Sequence, residues 1–211
     1  LDEFVDQAKA AVTKMYPLDK AAADYASIAT DAHYKRMHEL IADAEAKACN
    51  IIKVDVGATD ARRQFTPAIV VNPPEDSRLM QEEIFGPILV IKTYKIFQDA
   101  VDYVNKGECP LALYFFGDNE QEKAIILSQT SSGGLAINEV MMQLMMSDLP
   151  FGGVGHSGMG SYWGGGSGFK RFSHAKSVFE QGWYKKLGAM MDPPYGKAIG
   201  NMLKFQLKKT R

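Results

Sequence analysis

Glycine, carboxylate, thiol and imidazole groups are what this 211-residue chain can bring to chemistry, and the spacing of each set limits what it can do. The densest set is Pro150-Phe151-Gly152-Gly153-Val154-Gly155-His156-Ser157-Gly158-Met159-Gly160, with five glycines in eleven positions. Glycine reaches positive φ and lets a backbone or a ligand come close, at an entropic cost of roughly 0.5–1 kcal/mol per residue. Gly153-x-Gly155-x-x-Gly158 fits the dinucleotide fingerprint, in which backbone N–H groups cradle a pyrophosphate. That fingerprint also requires a preceding strand, a helix opening on the loop and an acid about 20 positions on. Here Pro150 precedes the loop, Lys170 and Lys176 flank the place of the acid, and Glu180 is the nearest candidate. A loop shape needed for some other reason is the competing explanation.

The remaining groups are sparser. Glu82 and Glu83 are adjacent, so on a strand they point to opposite faces and cannot share one substrate as acid and base. A reactive thiol needs a helix N-terminus, a cation or a histidine to lower its pKa. Cys49 ends a predicted helix and Cys109 sits between Glu108 and Pro110, so neither is expected to be a nucleophile. His33 and His38 are five apart, off the i, i+4 face that a metal pair uses, and His156 and His174 have no third partner at metal or triad spacing. No metal site is expected, and His156 is assigned a structural hydrogen bond.

The elements that must position these groups follow from periodicity. Leu1, Phe4, Val5, Ala8, Val12 and Met15 predict an amphipathic helix that Pro17 ends. A second helix is expected from Thr30 or Asp31 to Ala48, with Tyr34, Met37, Ile41, Ala44 and Ala48 on its apolar face. Ile51–Val56 and Ala68–Val71 read as strands. The run Pro87–Ile91 reads as a strand buried on both faces of a parallel sheet. A helix over Phe97–Asn105, a strand over Leu111–Phe116, a helix over Asn119–Gln129 and a strand over Leu135–Asn138 complete the alternation. Such alternation marks an α/β protein with an open, mostly parallel sheet and flanking helices.

Composition bounds the function class. The chain is 46% hydrophobic and 23% charged with a formal net charge of −1, so no overall field draws it to nucleic acid. Two cysteines exclude a disulfide scaffold and a structural zinc site and suit a reducing, cytoplasmic setting. From Trp183 to Arg211 the character changes, with seven basic residues against Asp192 and an apolar stripe at Ile199, Met202, Leu203 and Leu207. A tail lying on a partner subunit is the plain reading, and weak attachment to an anionic membrane surface the alternative.

Leu149-Pro150-Phe151-Gly152-Gly153-Val154-Gly155-His156-Ser157-Gly158-Met159-Gly160, followed by Phe172-Ser173-His174-Ala175-Lys176-Ser177-Val178, resembles the C-terminal signature of the NAD(P)-dependent aldehyde dehydrogenases. Gln81-Glu82-Glu83-Ile84-Phe85-Gly86-Pro87 is similar to the superfamily's EEIFGP block, in the family's order. Pro110-Leu111-Ala112-Leu113-Tyr114 and Ser131-Ser132-Gly133-Gly134 also look familiar, so the resemblance covers nearly the whole chain. Within the superfamily it is nearest to the class 3-like branch of coniferyl and fatty aldehyde dehydrogenases. Trp163 stands where that branch usually has His, the position of His156 is often Asn, and Gly164–Gly168 is longer and richer in glycine than the usual pattern.

The resemblance implies several roles. Glu83 would hydrogen-bond the nicotinamide ribose of NAD or NADP, because a carboxylate only accepts and a ribose diol offers two donors. Phe85 would pack near the nicotinamide end. Asn138, Met142, Phe151 and His156 are the substrate-pocket candidates, with Met141, Met142, Met145 and Met146 supplying flexible apolar surface for a medium to large apolar or aromatic aldehyde. The family's catalytic cysteine segment, its general-base glutamate and its Rossmann-type domain are not in the sequence, so the chain is read as the C-terminal part of a longer enzyme, inactive without the N-terminal half. Residues 1–174 would form a partial catalytic domain, 175–182 an oligomerisation strand that makes a homodimer near Lys176–Phe179, and 183–211 the basic tail. Two other readings stay open: a non-catalytic interaction module built on the same fold, and an acylating relative.

Overall fold

A computed structural model describes residues 1–17, 24–183, 193 and 196–209. The chain divides into two compact units, Leu1–Lys106 and Gly107–Arg211.

The first unit opens with α1 (Asp2–Met15), whose Asp2 and Glu3 complement the positive end of the helix dipole. Helix α2 (Asp31–Ala46) begins where Thr30 Oγ1 accepts the His33 N–H at 3.2 Å, an N-cap that fixes its start. Its Met37, Leu40, Ile41 and Ala44 are buried and form the core with Phe65, Ala68, Val70, Leu79 and Ile88. Three strands pair in the order β1 (Asn50–Lys53), β2 (Ala68–Val71), β3 (Ile88–Ile91). β1 runs antiparallel to β2, with Asn50 opposite Val71, and β3 runs parallel to it, with Ala68 opposite Ile88. The one-turn helix α3 (Arg78–Gln81) precedes β3, and α4 (Phe97–Lys106) follows it with Val101 fully buried.

The second unit holds a separate parallel pair, β4 (Ala112–Phe115) and β5 (Gly134–Ile137), joined by α5 (Glu120–Gln129). Asn119 caps α5 by accepting the Gln121 and Glu122 N–H groups. Helix α6 (Met142–Met145) follows β5, α7 (Gly165–Arg171) follows the glycine loop, and α8 is Lys197–Lys209.

The α/β class and the mostly parallel pairing are as expected, and two expectations need correcting. The run at Pro87–Ile91 is not buried on both faces: Ile88 sits in the core, while Leu89, on the opposite face, is 48% exposed. Glu82 and Glu83 lie on no strand, because the Ser77 cap starts a helical turn and Glu82 closes it. Gly164–Gly168 opens a helix, with Gly164 at its N-cap in a backbone position (φ +81°) that other residues rarely adopt.

Lys176–Phe179 pairs with no strand among the described residues, and Phe179 is 87% exposed. The tail's amphipathic stripe falls on α8, while its Lys185, Lys186, Asp192 and Arg211 lie outside the described residues.

Candidate functional site

In the first unit the chemistry gathers on the loop that links α3 to β3. One oxygen of Asp43, on α2, accepts both the Ser77 hydroxyl (3.0 Å) and the Arg78 N–H (2.9 Å), so α2 fixes the start of α3. Arg78 then reaches one turn forward to Glu82, with Nε to Oε1 at 2.6 Å. Arg36, also on α2, approaches the other carboxylate oxygen of Glu82 at 3.4 Å. The hydrogen bond from Arg78 leads in holding the Glu82 carboxyl below its ordinary pKa, against an opposing effect of desolvation and with smaller help from Arg36. Glu82 is therefore committed to structure.

Glu83 differs. Its side chain is exposed, and among the described residues its carboxylate accepts no hydrogen bond and joins no ion pair. Its backbone, by contrast, is tightly held. The Arg36 guanidinium donates to Glu83 O (Nη1, 3.0 Å) and to Ile84 O (Nη2, 2.6 Å), and His33 Nε2 lies 2.7 Å from Phe85 O. Three consecutive carbonyls are thus capped by two side chains one helical turn apart on α2. Phe85 takes a left-handed conformation (φ +50°), costly for a bulky residue, and its ring is 79% exposed with the His33 ring edge-on at 6.2 Å. Next to it Gly86 packs so closely on α2 that an added Cβ would overlap the Met37 sulfur. The result is a loop whose backbone is fixed and whose free groups are one carboxylate and one aromatic ring. An exposed carboxylate only accepts hydrogen bonds, so it can take up a pair of hydroxyl donors such as a diol offers.

In the second unit the carboxyl ends of β4 and β5 are clasped together. Asn138, just past β5 and at φ +57°, accepts the Gly117 N–H at 2.8 Å and donates to Gly117 O at 3.1 Å. Both ends of its amide are thereby engaged by backbone, while its N–H donates to Phe115 O at 2.7 Å. The following turn puts Met141 at φ +65° with its sulfur 3.6 Å from the Tyr114 hydroxyl, and Met141, Met142, Met145 and Met146 are all exposed.

The glycine loop explains itself through close packing. A Cβ on Gly153 would strike the Ser157 carbonyl, one on Gly152 the Gly160 carbonyl, and one on Gly133 the Gly152 carbonyl. Ser157 Oγ closes the turn on Val154 N and O, both at 2.9 Å, around a single 3-10 turn, Gly155–Ser157. Neither a strand before the loop nor a helix opening at Gly153 is present, so the pyrophosphate fingerprint lacks its context. Phe151 forms an antiparallel bridge with Trp163, its N–H on Trp163 O at 2.9 Å, and stacks edge-on with Tyr162 at 6.1 Å. His156 is exposed, with Nδ1 3.4 Å from Glu108 Oε2.

The structure thus brings Glu83 and Phe85 together on one loop of the first unit, and in the second puts Asn138 on the loop after β5 and Met142 at the start of α6. Cys49 packs beside the first unit's core, which suits a structural thiol. What the sequence did not reveal is the role of Arg36 and His33. They lie 46 to 52 positions from the groups they hold, on a helix whose surface pattern carries no mark of such contacts.

Comparison with known proteins gives these features a setting. A probable coniferyl aldehyde dehydrogenase of Caulobacter vibrioides is 41% identical over 215 residues, covering 99% of this chain and 44% of the relative. A coniferyl aldehyde dehydrogenase of a Pseudomonas species is 43% identical over 211 residues, with 98% and 44% covered. The chain therefore spans less than half the length of the curated relatives it matches. Among solved structures, a substrate-bound state of Staphylococcus aureus AldH superposes with a TM-score of 0.75 at 30% identity, covering 97% of this chain and 43% of the other. The model of the aldehyde dehydrogenase family matches residues 1–178, and with the EEIFGP loop and the glycine signature both in place, the chain belongs to that family.

Proposed function

We propose that the whole protein is an NAD(P)-dependent aldehyde dehydrogenase that oxidises an apolar or aromatic aldehyde to its carboxylic acid, and that this chain supplies the nicotinamide-ribose hold and part of the substrate wall. The observation that carries the reading is Glu83: an exposed carboxylate with no partner among the described residues, on a backbone held from α2 by Arg36 and His33. The nicotinamide cofactor supplies the hydride acceptor when bound. Glu83 accepts hydrogen bonds from the two ribose hydroxyls, and Phe85, presented by its left-handed backbone, gives an apolar surface at the nicotinamide end. The methionines after β5 adapt to an apolar or aromatic side chain because a thioether is flexible and polarizable. The names of the curated relatives support that substrate class.

Neither Cys49 nor Cys109 lies in the segment expected of the family's nucleophile, so the 211 residues alone are expected to be inactive. The segment Lys176–Phe179, exposed and unpaired within the described residues, suits addition to the sheet edge of a second copy, which makes a homodimer the proposed assembly. Among the described residues no helix is long and apolar enough to cross a membrane. The test compares the complete product of the gene with the 211-residue chain, each given NAD or NADP and cinnamaldehyde, and follows reduced nicotinamide by absorbance. Turnover by the complete product alone is expected. Turnover by the short chain, or none by the complete product with any apolar or aromatic aldehyde, would sink the proposal.

A further inference from the structure

We infer that Arg36 and His33 are positioning residues for cofactor binding: from α2 they hold the carbonyls of Glu83, Ile84 and Phe85 and so set where the Glu83 carboxylate points. The inference rests on the reading of Glu83 as the ribose hold and adds to it the groups that make such a hold rigid.

Three observations lead there. Glu83 sits between two structured points, the end of α3 at Gln81 and the start of β3 at Ile88, with six residues of irregular backbone between. A short irregular segment of this kind carries carbonyls with no ladder or helix to satisfy them, and left alone it would sample several shapes. Second, Arg36 meets two successive carbonyls with two different nitrogens and also faces Glu82, a pattern that only the planar guanidinium fork can make. Third, Phe85 is held at φ +50°, and such a conformation persists in a bulky residue only where its surroundings impose it. His33 Nε2 on Phe85 O, the edge-on ring contact and the close seat of Gly86 on Met37 are those surroundings. The contacts of Arg36 and His33 are with the loop, and it is through the loop that they act.

The consequence is specific to one half of the dinucleotide. Loss of the clamp should loosen the grip on the nicotinamide ribose and leave recognition of the adenine half alone. The experiment uses the complete product of the gene, titrated calorimetrically with whichever dinucleotide it binds more tightly, NAD+ or NADP+, and separately with the matching adenine half, AMP or 2′,5′-ADP. Arg36→Ala and Arg36→Lys are expected to weaken the dinucleotide about tenfold and His33→Ala by a few fold, in line with the sensitivity of bound geometry to small displacements, while the adenine half binds as in the parent protein. Lys is included because a point charge cannot serve two carbonyls and should fail as Ala does; it also carries the test if Arg36→Ala does not fold. Equal weakening of both ligands, or no weakening of either, overturns the inference. Glu83→Gln runs alongside. If it weakens the dinucleotide and the Arg36 variants do not, the positioning role falls and the Glu83 reading stands. If Glu83→Gln itself leaves dinucleotide affinity unchanged, the reading of Glu83 falls and this inference with it.

Discussion

The loop at 82–86 and the loop at 150–160 face the same problem, an irregular backbone that must keep one shape, and they solve it in opposite ways. At 82–86 the backbone is held by side chains from a distant helix, Arg36 and His33, and even the strained position is filled by a large residue, Phe85. At 150–160 the backbone is held from within the loop, by the Ser157 hydroxyl on Val154 and by backbone packed on backbone, with side chains absent where carbonyls and Cα atoms touch. The first solution leaves functional groups free to project, because the clamps act from behind. The second draws the chain tightly against itself and turns Val154, His156 and Met159 outward. A loop meant to present a carboxylate suits the first, and a loop meant to give shape suits the second.

The contrast is most sharply tested by adding one methyl group. Gly152→Ala or Gly153→Ala drives a Cβ into a backbone carbonyl with no flexible atom to yield, and a loss of roughly 3 kcal/mol is expected, on the scale of severe core overpacking. Urea unfolding of the 211-residue chain would measure it, and a loss below the scatter of a surface substitution would show that the loop relaxes easily. Asn138→Ala comes next. It removes both amide hydrogen bonds to Gly117 and leaves a side chain at φ +57°, for about 1–2 kcal/mol. Asn138→Gly should recover part of this, because glycine accepts the backbone angle, and equal losses for the two would mean that strain plays no part.

The clamp itself is accessible to acid. The Arg78 hydrogen bond depresses the Glu82 carboxyl, so the folded state binds its proton less tightly than the unfolded chain does. The stability this contributes is present above the ordinary carboxylate value of 4.5 and is lost as pH falls from there through the lower folded value. Glu82→Gln should lower stability at neutral pH and leave the acid end little changed, so that the acid limb of a stability-versus-pH curve flattens. An unaltered acid limb would assign the pH dependence to other depressed carboxylates, Asp43 and Glu75 first. The smallest effect is expected at Met145, 71% exposed: Met145→Ser should shift stability by no more than about 0.5 kcal/mol while raising the KM for an aromatic aldehyde in the complete protein.

How much of this was legible depends on the range of the interaction. Helix α2 with its Thr30 cap, helix α5 with its Asn119 cap and the β-branched strands stand in the sequence because caps and periodicity act within a few residues. The glycine loop was visible as a demand for backbone freedom, but its reason was not, since the carbonyl that forbids a Cβ comes from eight residues away for Gly152 and from nineteen for Gly133. The Arg36 clamp left no local mark. Arg36 and His33 on a polar helix face look like solvated residues until the loop 46 to 52 positions later is laid on them. The exposure of Leu89 escaped pattern reading for a related reason: an apolar run tells of burial but not of whether both faces are covered.

The layering of Gly133 under Gly152 and of Gly152 under Gly160 has a consequence for how this protein can be varied. A side chain at Gly133 or Gly152 displaces the carbonyl above it, so replacements there cannot accumulate one at a time. The segments at 133, 152 and 160 must change in concert or not at all. A combinatorial library aimed at the proposed substrate wall can therefore treat Met141, Met142, Met145 and Met146 as open positions while holding the three glycines constant.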